Sequence, residues 1–185
     1  MQLDAFLKIE TPKTDGKSTD KEHSDEIEIV SFEQTITRSS GGNQDSSAEK
    51  SHSKHRGITV IKPLDSTSPK LLQAACQGTV FGKISLFLCQ SSGTSKTTSD
   101  RWKKIVYFEI VMEKVYISRM HLVGDPSLQH LGRSDEFPIL SGAALEMGPL
   151  EELDLTYQKI QWLYKGSTGA LNITGKWNLQ TNSAT

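Results

Sequence analysis

Short apolar segments alternate with long polar ones along this chain. Seven of the apolar segments are rich in β-branched and aromatic residues, which is typical of strands. They span residues 3–9, 26–37, 57–64, 80–89, 102–122, 153–164 and 171–179. The polar segments 11–25, 38–56 and 91–101 have almost no apolar side chains to bury, so we predict loops there.

One further segment, at about residues 68–77, has the pattern of a helix. Ser68 is followed by Pro69, the order preferred at a helix N-terminus, and Gly78 stands where a left-handed C-terminal residue is expected. Between them, an apolar stripe at helical spacing is formed by Leu71, Leu72, Ala75 and Cys76. We therefore predict a single helix among the strands.

Three of the strand segments are irregular. A straight strand over residues 105–121 would span about 56 Å, at about 3.3 Å per residue, so we expect a bend near Glu113 and Lys114 where the chain crosses between sheets. The apolar parity changes within 153–164, which indicates a bulge or a strand whose halves bury opposite faces. In 171–179, strict alternation predicts one buried and one solvated face. Together these features predict a partly closed barrel or a tight sandwich.

Residues 124–149 differ from the other polar segments. They hold large apolar residues among three Pro and four Gly. These include Leu128, Leu131, Phe137, Ile139 and Leu140. We predict an ordered excursion that packs on the body of the domain, with a short helical turn near 143–147.

The composition narrows the classes of function. The chain has 185 residues, 35% of them hydrophobic, and a formal net charge of −1, which predicts one domain and argues against dedicated nucleic-acid or anionic-membrane binding. No apolar run approaches the ~18 residues of a membrane helix. Residues 1–10 include three charged side chains, which excludes a secretory signal, so folding in the cytosol is expected. Cys76 and Cys89 are predicted to be free thiols, because a disulfide between them would require an oxidising compartment and nothing in the sequence indicates one.

No segment has a convincing catalytic or ligand-binding motif. Residues 92–98 lack phosphate-loop spacing, and His52 and His55 have no further ligands nearby, so we predict an exposed basic loop around them rather than a metal site. His23 lies in a mixed-charge loop and predicts nothing. The pairs Glu26/Glu28 and Glu151/Glu152 are interpreted as charges that protect strand edges. We predict no catalytic, cofactor or metal residues and no enzymatic activity.

The order of these elements resembles the Hcp family (hemolysin-coregulated proteins), the tube proteins of bacterial type VI secretion systems. The resemblance starts with an MxxDxFLKI strand at 1–9 and an EIE-type strand at 26–32. It continues with residues 58–65 ahead of the helix, and ends with the motifs Trp-x-Tyr at 162–164 and Gly-x-Trp-x-Leu at 175–179. It covers residues 1–123 and 150–180, and the ordered set carries it rather than any one motif.

The resemblance implies a fold and an assembly. The fold would be a single Hcp-like domain over 1–185, a compact β-barrel of two antiparallel sheets with one flanking α-helix. Family members form hexameric rings that stack into a hollow tube similar to a phage tail tube. A contractile sheath surrounds the tube, a spike protein sits at its tip, and effector cargo travels in its lumen. Such proteins are made in the cytoplasm and secreted by the machine itself without a signal peptide.

The resemblance also suggests particular residues. The polar loop 38–56 matches the family's extended loop, so Glu49, Lys50, Lys54 and Arg56 are predicted to form a salt-sensitive contact between subunits or stacked rings. Glu33 is predicted to face the lumen. The excursion 124–149 replaces what is usually a short loop in the family, and would decorate the wall or rim.

Two other functions remain open from sequence. One is a monomeric β-barrel that binds a small ligand or a carbohydrate, because three Trp and four Tyr lie in the chain. Core packing or a subunit interface is the alternative use of these aromatic residues. The other is a small secreted hydrolase. The oligomeric state separates the ring subunit from both.

Overall fold

The computed structural model describes residues 4–38, 53–91, 104–124 and 148–184, which hold ten strands and one helix. The strands are β1 (Asp4–Glu10), β2 (Lys13–Thr14), β3 (Ile27–Ile29), β4 (Ser31–Arg38), β5 (Ser53–Pro63), β6 (Phe81–Ser91), β7 (Lys104–Val123), β8 (Leu150–Thr156), β9 (Lys159–Tyr164) and β10 (Ile173–Asn178). The helix α1 spans Ser68–Gln77.

Two antiparallel sheets share the long strand β7. In sheet A, β1 pairs with β2, β3 and β6, β6 pairs with β7, and β7 pairs with β9, which pairs with β10. Sheet B has the order β7-β8-β5-β4. The described residues are therefore mainly β with one helix, which confirms the predicted fold class.

The predicted bend of β7 lies where we expected it. Glu113 is the last residue of β7 to pair with β9, Lys114 has a positive φ of 51°, and Tyr116 is the first residue to pair with β8. The first part of the strand thus belongs to sheet A and the second part to sheet B. One strand serves two sheets because it turns at this single left-handed residue.

The change in apolar alternation within 153–164 also arises where the chain crosses from one sheet to the other. This segment is two strands, with β8 in sheet B and β9 in sheet A, joined through Tyr157 and Gln158. The segment 26–37 likewise divides, because Val30 separates β3 in sheet A from β4 in sheet B. Our expectation of one continuous strand in each place was wrong, since each chain segment turns the corner between the sheets.

The core lies between the two sheets. Its largest contributions come from alternating positions of the central strands. Those residues include Leu7, Ile27, Ile58, Val60, Ile84, Leu86, Ile110, Met112, Leu153 and Leu155. Helix α1 adds Leu71 to this core. The hydrogen-bonded order begins at β2 and ends at β4, so the barrel of the described strands is joined by corner segments rather than by a closed ladder.

The helix is as predicted, except at its first residue. Thr67 rather than Ser68 is the N-cap residue, and Pro69 lies in the first turn. At the other end Gly78 has the expected left-handed conformation, with φ 64° and ψ 35°. Its N–H bonds back to the helix, which satisfies carbonyl groups that would otherwise lack partners.

Several loop predictions need correction. Strands β4 and β5 extend to Arg38 and from Ser53, so the predicted loop 38–56 is shorter at both ends, and residues 39–52 lie outside the described ranges. Most of the predicted excursion, residues 125–147, also lies outside them. The predicted buried face of 171–179 is uncovered in its first part, where Leu171 is 48% and Ile173 60% exposed.

Candidate functional site

The outer surface of sheet B carries a continuous row of polar side chains. Glu33 on β4 pairs with Thr59 on β5, which pairs with Asp154 on β8, which pairs with Arg119 on β7. Residues paired across antiparallel strands point to the same side of a sheet. We call this surface the charged face; it consists of Glu33, Thr35, Arg56, Thr59, Arg119, Glu152 and Asp154.

Arg119 is the centre of an ion-pair network on the charged face. Its Nε donates to Oδ2 of Asp154 at 2.6 Å, and its terminal nitrogen donates to Oε1 of Glu152. Thr59 donates to the other oxygen of Asp154 at 2.7 Å. The hydrogen bond with Asp154, opposed by partial burial, raises the pKa of Arg119 above its ordinary value. One guanidinium thus pairs with two carboxylates and offsets half of their combined charge.

Two β-bulges shape the charged face. On β5, the register with β4 shifts between Gln34 and Ile36, so that Arg56 and Gly57 together face Thr35. Gly57 has φ 86°, and a Cβ there would lie 2.6 Å from the carbonyl oxygen of Leu155, so glycine is required. On β7, a second shift occurs between Ile117 and Arg119. Because bulges redirect side chains, they place both Arg56 and Arg119 on this face.

These side chains line a shallow groove of about 210 Å³. Glu33 and Arg56 both border it, so the structure brings together two of the residues that we singled out from sequence. Glu33 is exposed and accepts a hydrogen bond from Thr35 at 3.2 Å. Among the described residues, neither Glu33 nor Arg56 forms an ion pair. Both charges are therefore open to a ligand.

The other predicted site residues lie elsewhere. Lys54 is exposed on β5 opposite Thr37, so both Lys54 and Arg56 belong to a strand and not to a loop. Glu49 and Lys50 lie outside the described residues. Sequence reasoning missed Thr59, Glu152, Asp154 and Arg119, although their alternation with buried neighbours was the available signal.

Glu151 and Glu152 are not edge charges, because β8 is an inner strand of sheet B. Glu151 is fully buried and lies 2.5 Å from Nζ of the equally buried Lys62. Lys62 also contacts Asp65, Pro63 and Ser68 at the start of α1. Burial acts to raise the pKa of Asp65, but hydrogen bonds from Thr67 and Lys62 lower it below its ordinary value. The cluster fixes α1 to sheet B.

His23 is buried, although it lies in the predicted mixed-charge loop. Its Nδ1 donates to Oε2 of Glu26 at 2.7 Å, and its Nε2 lies 3.1 Å from Sγ of Cys89. This order of thiol, imidazole and carboxylate is that of a cysteine nucleophile with its base. Burial, however, raises the pKa of Cys89 to about 12, so the thiol stays protonated and serves as a hydrogen-bond donor. Cys76 is exposed, and both thiols are free.

His55 also has defined contacts and does not lie in an exposed loop. Trp162 donates to Oε1 of Gln34, and Gln34 donates to the Tyr157 hydroxyl, each at 2.9 Å. The Tyr157 hydroxyl is then left to donate to Nδ1 of His55, also at 2.9 Å. Burial raises the pKa of Tyr157 to about 12 and lowers that of His55 below its ordinary value of 6.5. These four residues join the two sheets at one end of the barrel.

The described ranges contain neither a cluster suited to a metal ion nor a membrane-spanning helix. In residues 4–38, 53–91, 104–124 and 148–184, no cluster of three or more His, Cys, Asp and Glu side chains could hold a metal ion. Within the same ranges, no helix is long and apolar enough to span a membrane.

The fold has known counterparts. Solved structures that match include Hcp1 from Salmonella typhimurium, 19% identical with a TM-score of 0.67 over 100% of both chains. A type six secretion system protein is 22% identical, with a TM-score of 0.72 over 99% of both chains. A type VI secretion system effector from Yersinia pestis is 19% identical, with a TM-score of 0.64 over 95% of this chain and 99% of that chain. Among curated proteins, none matches the chain.

The family assignment rests on the sequence itself. A family model described as "Type VI secretion system effector, Hcp" matches residues 6–164, which is most of the chain. The matched range begins within β1 and includes α1 and all four strands of sheet B. The resemblance in the order of strands and helix is thereby confirmed. The chain belongs to the Hcp family of type VI secretion system proteins.

Proposed function

We propose that this protein is a structural subunit of the type VI secretion tube, which forms hexameric rings that stack into a hollow, secreted tube. The proposal rests on family membership and on one observation above all: among the described residues, sheet B ends in two unpaired edges that carry exposed apolar side chains. A monomeric protein seldom leaves such edges uncovered, because they invite pairing with other chains.

The two edges lie on opposite sides of sheet B. At the β4 edge, Ile36 is 45% exposed. At the β7 edge, formed by residues 116–123, Tyr116 is 42% and Leu122 44% exposed. In the described ranges, β4 pairs only with β5, and residues 116–123 pair only with β8. One edge of a subunit can therefore meet the other edge of its neighbour, a head-to-tail contact that closes into a ring.

In this arrangement the charged face would line the lumen. Sheet B would run from subunit to subunit around the ring, with its core side toward the subunit interior and its polar side toward the hole. Glu33 would then face the lumen in every subunit, together with Arg56. A wall of charged and hydroxyl side chains suits a water-filled channel that carries effector cargo without holding it tightly.

The segment 39–52 would provide the contact between stacked rings. It includes Glu49 and Lys50, which offer one charge of each sign to an adjacent ring. The finished tube would bear a spike protein at its tip and lie inside a contractile sheath. The subunit would be made in the cytoplasm and leave the cell through the machine, without a signal peptide.

The oligomeric state in solution tests this proposal. We expect light scattering after size exclusion to give the mass of six chains, and negative-stain images to show rings with a central hole. Ile36→Asp and Leu122→Asp should each shift the mass toward the monomer, because each places a charge at a sheet B edge. Val80→Asp is the matched control, since Val80 is 58% exposed but precedes β6, away from both edges.

Each result bears on the proposal directly. A monodisperse monomer at micromolar concentration would contradict it and would favour the barrel that binds a small ligand or carbohydrate. Rings that survive both edge variants but are lost in the Val80 variant would contradict the assigned interface. For the stacking contact, deleting residues 41–52 should leave rings intact and reduce the length of stacked tubes.

A further inference from the structure

We propose that the groove of the charged face binds extended peptide segments that carry a basic and an acidic side chain two residues apart. The groove and its charges are features of the single chain. That the bound peptide belongs to secreted cargo rests on the proposed function. The inference rests on Glu33 and Arg56 together lining a groove whose other charged side chains already pair with one another.

The charged side chains on the floor of the groove are already hydrogen-bonded to one another. Asp154 accepts from Arg119 and Thr59, and the buried Glu152 accepts from Arg119. These groups already have short partners, so a ligand gains little by contacting them. Glu33 and Arg56 are the lining charges that lack an ion pair among the described residues. The groove therefore presents one open anion and one open cation.

Glu33 on β4 and Arg56 on β5 lie at different positions along the direction of β4. Glu33 pairs with Thr59, whereas Arg56 lies in the bulge opposite Thr35, two residues farther along β4. Two residues of an extended strand span about 7 Å, and side chains at i and i+2 point to the same side. A peptide laid along β4 would thus place its basic residue over Glu33 and its acidic residue over Arg56.

The volume of the groove and the weakness of exposed ion pairs indicate how a ligand would bind. At about 210 Å³, the groove lies below the ~300–1,000 Å³ of typical small-molecule pockets, which favours a few side chains of a longer chain. Exposed ion pairs are individually weak, so one groove would bind weakly. Six grooves around one ring would raise the effective affinity for a cargo that presents several such segments. Because each contact is weak, the cargo can also be released from the ring.

The test uses the full chain and capped, fluorescently labelled peptides at low ionic strength, read by fluorescence anisotropy. The peptides contain Lys-x-Glu, Lys-x-Lys, Glu-x-Glu, or adjacent Lys-Glu, which points the two charges to opposite sides. For the unaltered protein, we expect Lys-x-Glu to bind about three- to tenfold tighter than the other three, with the difference lost at high salt.

Charge-reversal variants make the prediction specific. Glu33→Lys should shift the preference to Glu-x-Glu, and Arg56→Glu should shift it to Lys-x-Lys. The double variant E33K/R56E should restore Lys-x-Glu, because the peptide can then bind in the opposite direction. Glu28→Lys and Lys70→Glu are matched controls that change the net charge equally at exposed positions outside sheet B, and they should leave the preference unchanged.

The outcomes separate this inference from the proposed function. Equal binding of all four peptides, or preferences that follow net charge in the control variants as well, would overturn the inference even if rings form. Selective binding by a protein that stays monomeric would support the inference and contradict the ring. Selective binding that switches with Glu33 and Arg56 in assembled rings supports both.

Discussion

Strand β7 contributes to both sheets, but their outer faces differ: the outer face of sheet A is covered by a loop, whereas that of sheet B is charged and uncovered among the described residues. On sheet A, Phe6 and Phe87 lie opposite one another on β1 and β6, and His23 stacks on Phe6 with ring centroids 4.4 Å apart. The loop that carries His23 covers this face. On sheet B, the corresponding face bears charges, is grooved and has no such cover among the described residues.

The two faces differ because one is apolar and needs a covering loop, whereas the other is polar. The covering loop of sheet A is held by the His23–Glu26 pair and closed by Gly16, whose N–H donates to the carbonyl of Asp25 at 2.6 Å. A Cβ on Gly16 would lie 2.2 Å from the carbonyl oxygen of Glu26, so the loop needs glycine there. On sheet B, polar side chains make a cover unnecessary. We infer that the covered face of sheet A contributes more to the stability of the folded chain, and that the charged face of sheet B is the surface used for binding.

The largest predicted effect is the loss of the cover on sheet A. His23→Ala removes the partner of the buried Glu26, the acceptor of the Cys89 thiol and the stack on Phe6. We expect a loss of about 3 kcal/mol in the free energy of unfolding, because a buried carboxylate is left without its partner. Urea unfolding followed by circular dichroism measures this loss.

A thiol titration locates the change. In the unaltered protein, a thiol reagent at mildly alkaline pH should label the exposed Cys76 and leave Cys89 unreacted until the chain unfolds. His23→Ala should make Cys89 react in the folded state.

The matched variant on sheet B, Glu33→Ala, should change the free energy of unfolding by less than about 0.5 kcal/mol. Equal losses for the two variants would remove the distinction between the faces.

A smaller loss of stability is expected when the ion-pair network of sheet B is disrupted. Arg119→Ala should cost about 1–2 kcal/mol, since the half-exposed guanidinium is screened by solvent but its loss leaves the buried Glu152 without a partner. Arg119→Lys should recover only part of this, because one ammonium group cannot reproduce the two separate hydrogen bonds. A loss above that of His23→Ala would mean that sheet B carries the stability instead.

The smallest effect concerns the junction of the two sheets and depends on pH. Burial lowers the pKa of His55 below 6.5, so the folded state favours the neutral imidazole that accepts from Tyr157. The stability from this contact is present above pH 6.5 and is lost as the pH falls through the folded-state pKa. The loss of one hydrogen bond, about 1 kcal/mol, corresponds to about 2–4 °C in Tm.

A matched variant assigns this pH dependence. His55→Gln keeps a polar side chain but does not titrate, so the decline in Tm between neutral and mildly acidic pH should be smaller than in the unaltered protein. Differential scanning fluorimetry across this range gives both curves. An unchanged decline in the variant would show that other groups titrate in this range and that the contact of His55 with Tyr157 has no role in it.

Local sequence features predicted the elements well. The bend at Lys114 followed from the length of the apolar run, and α1 followed from its proline, its apolar stripe and Gly78. The face of sheet B could not be predicted in the same way. Glu33, Thr59, Arg119 and Asp154 come from four strands far apart in sequence, and local patterns do not contain the register between them.

The errors have the same cause. Glu151 and Glu152 resembled edge charges until the strand order placed β8 inside sheet B. His23 looked unimportant because it lies in a polar segment and its partner Cys89 is 66 residues away. Glu33 was singled out through the family resemblance, and its position in the same groove as Arg56 emerged only from the folded register.

A cryo-electron microscopy map of the assembled protein, at a resolution that shows side chains, tests the central claim most directly. The account predicts six-membered rings in which sheet B is continuous across subunits and Glu33 and Arg56 point into the hole. Rings whose hole is lined by sheet A, with the charged face on the outer wall, would contradict the account.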